Sequence, residues 1–111
     1  MSTSAYAGSW LAWEDSGAGC IGYGNLDPKI PIRAIGRDNP KHPAIAVNAR
    51  GEFLLAWTEK TGWDKGGSLS WQVFDAKGEP IAGASGRAED LPPWDTPAAV
   101  AGRDGGFAVF Y

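Results

Sequence analysis

Two short phrases in this chain end in acid beside an aromatic ring: Trp13-Glu14-Asp15 and Trp57-Thr58-Glu59. Carboxylates brought to one cleft can divide acid–base work, one protonating a leaving oxygen while the other attacks or activates water, and their separation sets the outcome. Glu14, Asp15 and Glu59 are therefore the candidate catalytic side chains. The competing reading is that they are loop or turn acids accepting backbone N–H groups, since residues that recur in a repeat are usually structural.

A second set is aromatic. Of the six Trp, Trp63 and Trp94 stand in loops beside Gly or Pro and beside Asp64 and Asp95. An indole face stacks on the apolar face of a sugar ring, and its N–H donates to hydroxyls. Trp63, Asp64, Trp94 and Asp95 are accordingly the candidate ligand-binding residues, weighed against local loop packing. Trp13, Trp57 and Trp71 fall at repeating strand positions and are assigned to packing.

Other constellations carry less. Arg33, Arg37 and Asp38 could hold a carboxylate, but a surface ion pair accounts for them. Asp104-Gly105-Gly106 and Asp75-Ala76-Lys77-Gly78 have too few oxygen side chains for calcium. The glycines from Gly62 to Gly67 lack the spacing of a phosphate loop. A single histidine, His42, gives no transition-metal cluster, and a single cysteine, Cys20, cannot form an intrachain disulfide. No metal and no cofactor is expected.

Ten basic against thirteen acidic residues give a net charge of −3, with the basic side chains scattered. That argues against a nucleic-acid partner, which calls for a basic patch. No apolar run is long enough to span a membrane, and the amino terminus lacks the basic and apolar regions of a signal peptide. The expectation is a soluble chain without a membrane partner.

The elements that position these residues come from a repeat. Gly51-Glu52-Phe53-Leu54-Leu55-Ala56-Trp57 returns 54 residues later as Gly105-Gly106-Phe107-Ala108-Val109-Phe110-Tyr111, and a degraded copy lies 44 residues earlier at Ala7 to Trp13. Sixteen Gly and eight Pro punctuate the chain into short segments and exclude long helices. Pro43 to Val47 reads as a first strand, Glu52 to Trp57 as a second, and Ser68 to Asp75 as a third with Leu69, Trp71 and Val73 on one face. A short fourth begins at Glu79-Pro80-Ile81. Asn48-Ala49-Arg50-Gly51 and Asp75-Ala76-Lys77-Gly78 are turns.

Pro97 to Ala101 and Phe107 to Tyr111 restart the unit, while Ile21 to Asp27 matches Leu69 to Asp75 at an offset of 48. The expected order is second, third and fourth strands, then all four, then first and second. Arg33 to Lys41 and Ala82 to Asp95 would be connections. Four antiparallel strands per unit of about 40–50 residues is the arithmetic of a β-propeller blade. The predicted fold is all-β: about two blades, with residues 1–40 closing one, 41–82 forming a full one and 83–111 starting the next. Open strand edges predict self-association, or completion by upstream blades of a longer chain.

The stretch from Pro43 to Glu59, continuing through Gly62-Trp63 and Gly66 to Asp75, resembles the closing blades of sialidase-like β-propeller proteins of environmental bacteria. Gly105 to Val109 is similar to the last strand pair of that group. The resemblance implies a six-bladed, extracytoplasmic protein. It departs from sialidases: Ser68-Leu69-Ser70-Trp71 has no Asp-x-Gly between Ser and Trp, so no aspartate-box turn exists, and two blades could hold only part of an arginine triad drawn from separate blades, so no catalytic residue carries over. Two functions stay open. The chain is a non-catalytic structural or glycan- or protein-binding segment, or it is an incomplete part of a sialidase-type glycoside hydrolase.

Overall fold

The computed structural model describes residues 2–7, 10–15, 20–25, 33–35, 40–60, 66–93 and 96–111. The described residues form ten strands and no helix. β1 (Ser2–Ala7), β2 (Trp10–Asp15), β3 (Cys20–Asn25) and β4 (Arg33–Ile35) make one four-stranded sheet. β5 (Pro40–Val47), β6 (Phe53–Glu59), β7 (Ser68–Phe74) and β8 (Pro80–Ala88) make a second. β9 (Ala98–Ala101) and β10 (Phe107–Phe110) pair as a third, two-stranded sheet. Each sheet is antiparallel, with strands adjacent in sequence adjacent in space.

The repeat in the residues is a repeat in register. Val47 faces Phe53 and Ile45 faces Leu55. Adding 54 to all four numbers gives Ala101 facing Phe107 and Ala99 facing Val109, the observed pairs of the third sheet. The turns repeat as well: Asn48 N donates to Glu52 O at 2.9 Å, and Gly102 N to Gly106 O at 2.8 Å. Gly51 and Gly105 close these turns at φ of 82° and 88°, in the left-handed region where a side chain is strained. The first sheet follows the same plan, since Trp13 faces Gly22 just as Trp57 faces Ser70.

Two features differ from expectation. The first sheet has its own first strand, β1, where the sequence predicted none. Ser2 to Ala7 has three hydroxyl residues followed by Ala-Tyr-Ala and shows no apolar alternation; its ladder forms with β2. The fourth strand of the second sheet also runs on to Ala88, past the boundary set at residue 82, and Arg33–Ile35 is strand rather than connection.

All seven residues of β6 are buried. A strand covered on both faces needs a continuous apolar run instead of alternation, and Phe53-Leu54-Leu55-Ala56-Trp57 supplies it. On one face, Phe53, Leu55, Trp57 and Phe74 pack with Trp10, Ala12, Ile21 and Tyr23 of the first sheet. Phe53 is the hub, its ring 4.0 Å from Trp10 and 4.8 Å from Phe74. On the other face, Leu54, Ala56, Leu69 and half-buried Trp71 and Val73 pack with Ala99, Phe107 and Val109 of the third sheet. Trp57 is buried as assigned, whereas Trp13 and Trp71 are half-buried. Trp10 is deeper than either, at 3 % exposure.

Candidate functional site

Glu59 is the last residue of β6, two residues after Trp57 and therefore on the same face. Ser68 stands opposite Glu59, and Ser70 opposite Trp57. Arg87 on β8 stands in turn opposite Ser70. Strand pairing thus gathers one polar cluster from three strands at the end of the second sheet.

Glu59 is 3 % exposed, and a buried carboxylate needs donors. Its Oε1 receives the Trp57 indole N–H at 3.0 Å and the Ser70 hydroxyl at 2.9 Å. Arg87 Nη1 lies 3.6 Å from the same oxygen. Arg87 also donates to Ser70 Oγ at 3.3 Å and to Glu89 Oε1 at 2.6 Å. The second oxygen, Oε2, and the hydroxyl of Ser68 are buried without a hydrogen-bond partner among the described residues.

Beside this cluster lies a cleft of about 460 Å³ whose walls include Lys60, Gly66, Ser68, Arg87, Asp90 and Leu91. Its backbone is unusual. Lys60, with φ of 65°, holds a conformation uncommon outside Gly, Asn and Asp, and Asp90, with φ of 60°, is of a type that adopts it more readily. Leu91 N donates to Gly67 O at 3.0 Å, drawing the segment after β8 against the start of β7. Gly66 lies so close to the Leu91 carbonyl that a Cβ would collide with it.

Glu14 does different work. It is on the face of β2 shared with Trp10 and Ala12, and its Oε1 accepts the backbone N–H of His42 at 2.7 Å. His42 sits at φ 54° inside a register shift of β5 between Lys41 and Ala44. Such a bulge re-aims one residue out of the ladder, here toward the neighbouring sheet. Thr58 gives its one proton to Lys41 O at 3.1 Å. Its oxygen also lies 3.3 Å from His42 Nδ1, within hydrogen-bond distance. Glu14 and Glu59 are both acceptors of fixed donors within the fold.

The remaining candidates are not gathered here. Asp15 ends β2, its backbone paired with Ser2 and Cys20. Trp63, Asp64, Trp94 and Asp95 lie outside the described residues. Ser68, Ser70 and Arg87 were not singled out as candidates from the sequence. Ser70 and Arg87 are 17 residues apart, and only the β7–β8 pairing joins them.

Among the described residues no cluster of His, Cys, Asp and Glu is arranged to hold a metal ion. The hairpin turns carry two perturbed acids. Asn48 Nδ2 and Arg50 donate to Glu52 and hold its carboxyl below its usual range. The backbone N–H groups of Glu79 and Lys77 do the same to Asp75. Both serve turns. Comparison with family models, curated proteins and solved structures finds no match for this chain.

Proposed function

We propose that this chain is a non-catalytic segment of a sialidase-like β-propeller, a stack of blades whose loops form a glycan-recognition surface at the Glu59 end of the second sheet. The observation that carries the blade reading is the register: the first strand pair of one unit becomes that of the next by adding 54 to every residue number. Sheets that repeat in register and bury apolar side chains on both faces are what stacked blades require.

The binding reading is supported by the cleft beside Ser68 and Arg87, flanked by left-handed backbone at Lys60 and Asp90. Strained backbone of this kind concentrates at ligand sites. The non-catalytic reading is favoured over the hydrolase by the burial of Glu59, which is 3 % exposed with its Oε1 held by Trp57, Ser70 and Arg87. A general acid or nucleophile has to meet substrate instead.

The test is a glycan array probed with the wild-type chain, Trp63→Ala, Trp94→Ala and Lys60→Ala. Binding by wild type that weakens in these variants supports glycan recognition. An array without a single retained glycan, or binding indifferent to all three changes, rejects it. Turnover of a chromogenic glycoside that Glu59→Gln abolishes would instead establish the hydrolase.

A further inference from the structure

We infer that the cleft beside Ser68 takes neutral sugars and refuses acidic ones, because Ser68 gives its proton to Glu59 and presents only an acceptor oxygen to the ligand. The inference rests on the glycan reading of this end of the sheet and adds the class of sugar. The wall of the cleft is built where β6, β7 and β8 come together at one end of the second sheet.

Two buried polar groups lack a partner here. Ser68 is 2 % exposed, and it lines the cleft of about 460 Å³. Its hydroxyl and Oε2 of Glu59 make no hydrogen bond among the described residues. Buried groups left in this state are costly, and each calls for a partner. Ser68 and Glu59 are direct cross-strand neighbours on β7 and β6, so their side chains share a face, with Cβ atoms about 4.5–5.5 Å apart. No hydrogen bond holds the Ser68 hydroxyl, so it can turn about χ1 and give its proton to Oε2. A hydroxyl has one proton and two lone pairs. Once the proton serves Glu59, Ser68 only accepts, and the group it meets in the cleft must be a donor. A sugar hydroxyl is one; a carboxylate in the same place, being acceptor only, is not.

The charges around the cleft act in the same direction. Lys60, Arg87, Glu89 and Asp90 share its wall, and Glu59 behind Ser68 makes three carboxylates against two cations. Arg87 is already divided, with Nε 2.6 Å from Glu89 Oε1 and Nη1 3.6 Å from Glu59 Oε1. An incoming carboxylate has to draw Arg87 from these partners and lie beside Glu89 and Asp90, both exposed. Like charges so placed reject a partner. A neutral ring meets no such repulsion, and the cleft is of the size that small ligands occupy.

The test titrates the isotope-labelled full chain with the methyl glycosides of glucose, galactose and mannose and with N-acetylneuraminic acid, read by amide chemical shifts. At least one neutral glycoside should give saturable shifts at Gly67 and Ser68, and the acid none. Ser68→Ala should weaken that binding about tenfold, the worth of one hydrogen bond in a charged chain. Glu59→Gln reverses the relay. Its oxygen stays with Trp57 and Ser70, its NH2 donates to Ser68, and Ser68 then offers its proton to the cleft. This variant should gain binding of N-acetylneuraminic acid, and Ser68→Ala added to it should cancel the gain, which a simple loss of charge would not. The inference is overturned by wild type that binds no neutral glycoside or prefers the acid, and by binding indifferent to Ser68→Ala. It is overturned equally by a Glu59→Gln protein that still refuses the acid, or whose gain survives Ser68→Ala. If the glycan array retains a glycan, any of these results leaves the glycan reading standing; an empty array removes both.

Discussion

Tyr23 of the first sheet donates its hydroxyl to the backbone carbonyl of Gly78 in the second, 2.9 Å away and buried. The acceptor lies in the β7–β8 turn, 55 residues further along the chain. The ring of Tyr23 meanwhile packs 4.6 Å from Phe74. One side chain thus fixes the apolar stack and the polar end of the inter-sheet contact. Tyr23→Phe keeps the ring and orphans the carbonyl. We expect a loss of about 1 kcal/mol in urea unfolding. A variant as stable as wild type would remove this bond from the forces joining the sheets.

The two faces of the repeat predict unequal costs at equivalent positions. Phe53 is fully buried between two sheets, while Phe107, 54 residues later, is only half-buried against an open cleft. Phe53→Ala should cost about 3–5 kcal/mol, the range for deleting a core ring. Phe107→Ala should cost about 1 kcal/mol, because less area leaves the interior. Denaturant midpoints for the two variants decide the matter; equal shifts would mean that the third sheet is covered in solution as the second is.

The legible part of this fold was the part written as a repeated, continuous apolar run between Gly-containing turns. The run Phe53 to Trp57, its copy at Phe107 to Tyr111 and the Gly-containing turns carried register as well as strand type. β1 was not legible, because Ser2-Thr3-Ser4-Ala5-Tyr6-Ala7 shows no alternation and its strand ladder forms with β2. The site was legible only by halves. Period two already separates Glu14 from Asp15, placing Glu14 with Trp10 and Ala12 on the face that meets the second sheet. The offset of 44 aligns Asp15, not Glu14, with Glu59. What no spacing shows is that Ser70 and Arg87 converge on Glu59, since that depends on how β8 pairs.

The Glu59 cluster predicts graded effects on stability. Glu59→Gln retains one acceptor oxygen for Trp57 and Ser70, and about 1 kcal/mol should be lost. Glu59→Ala strands the Trp57 N–H and leaves the Ser70 hydroxyl and Arg87 without their carboxylate, so about 2–4 kcal/mol should go. Trp57 fluorescence should shift with it, as the indole loses its hydrogen bond. If Glu59→Ala is as stable as wild type, the cluster is not structural and the carboxylate regains its standing as a functional group.

The pH response follows from Asp75 and Glu52. Both carboxyls lie below their usual range in the folded chain, Asp75 through the backbone N–H groups of Glu79 and Lys77, Glu52 through Asn48 and Arg50. A group depressed by folding adds stability above its unfolded pKa. That stability fades as pH falls through the unfolded and then the folded value. The turns should therefore loosen below about pH 4 and be insensitive near neutrality. Asn48 shows how to separate charge from geometry, because its neutral Oδ1 accepts from Arg50 N and Glu52 N as Asp75 Oδ1 does from Lys77 N and Glu79 N. Asp75→Asn should keep the turn and abolish its share of the acid dependence, while Asp75→Ala should weaken it at every pH. Unfolding midpoints of the three proteins at neutral and acid pH check this. An Asp75→Asn variant that declines with acid as steeply as wild type would assign the titration to another group.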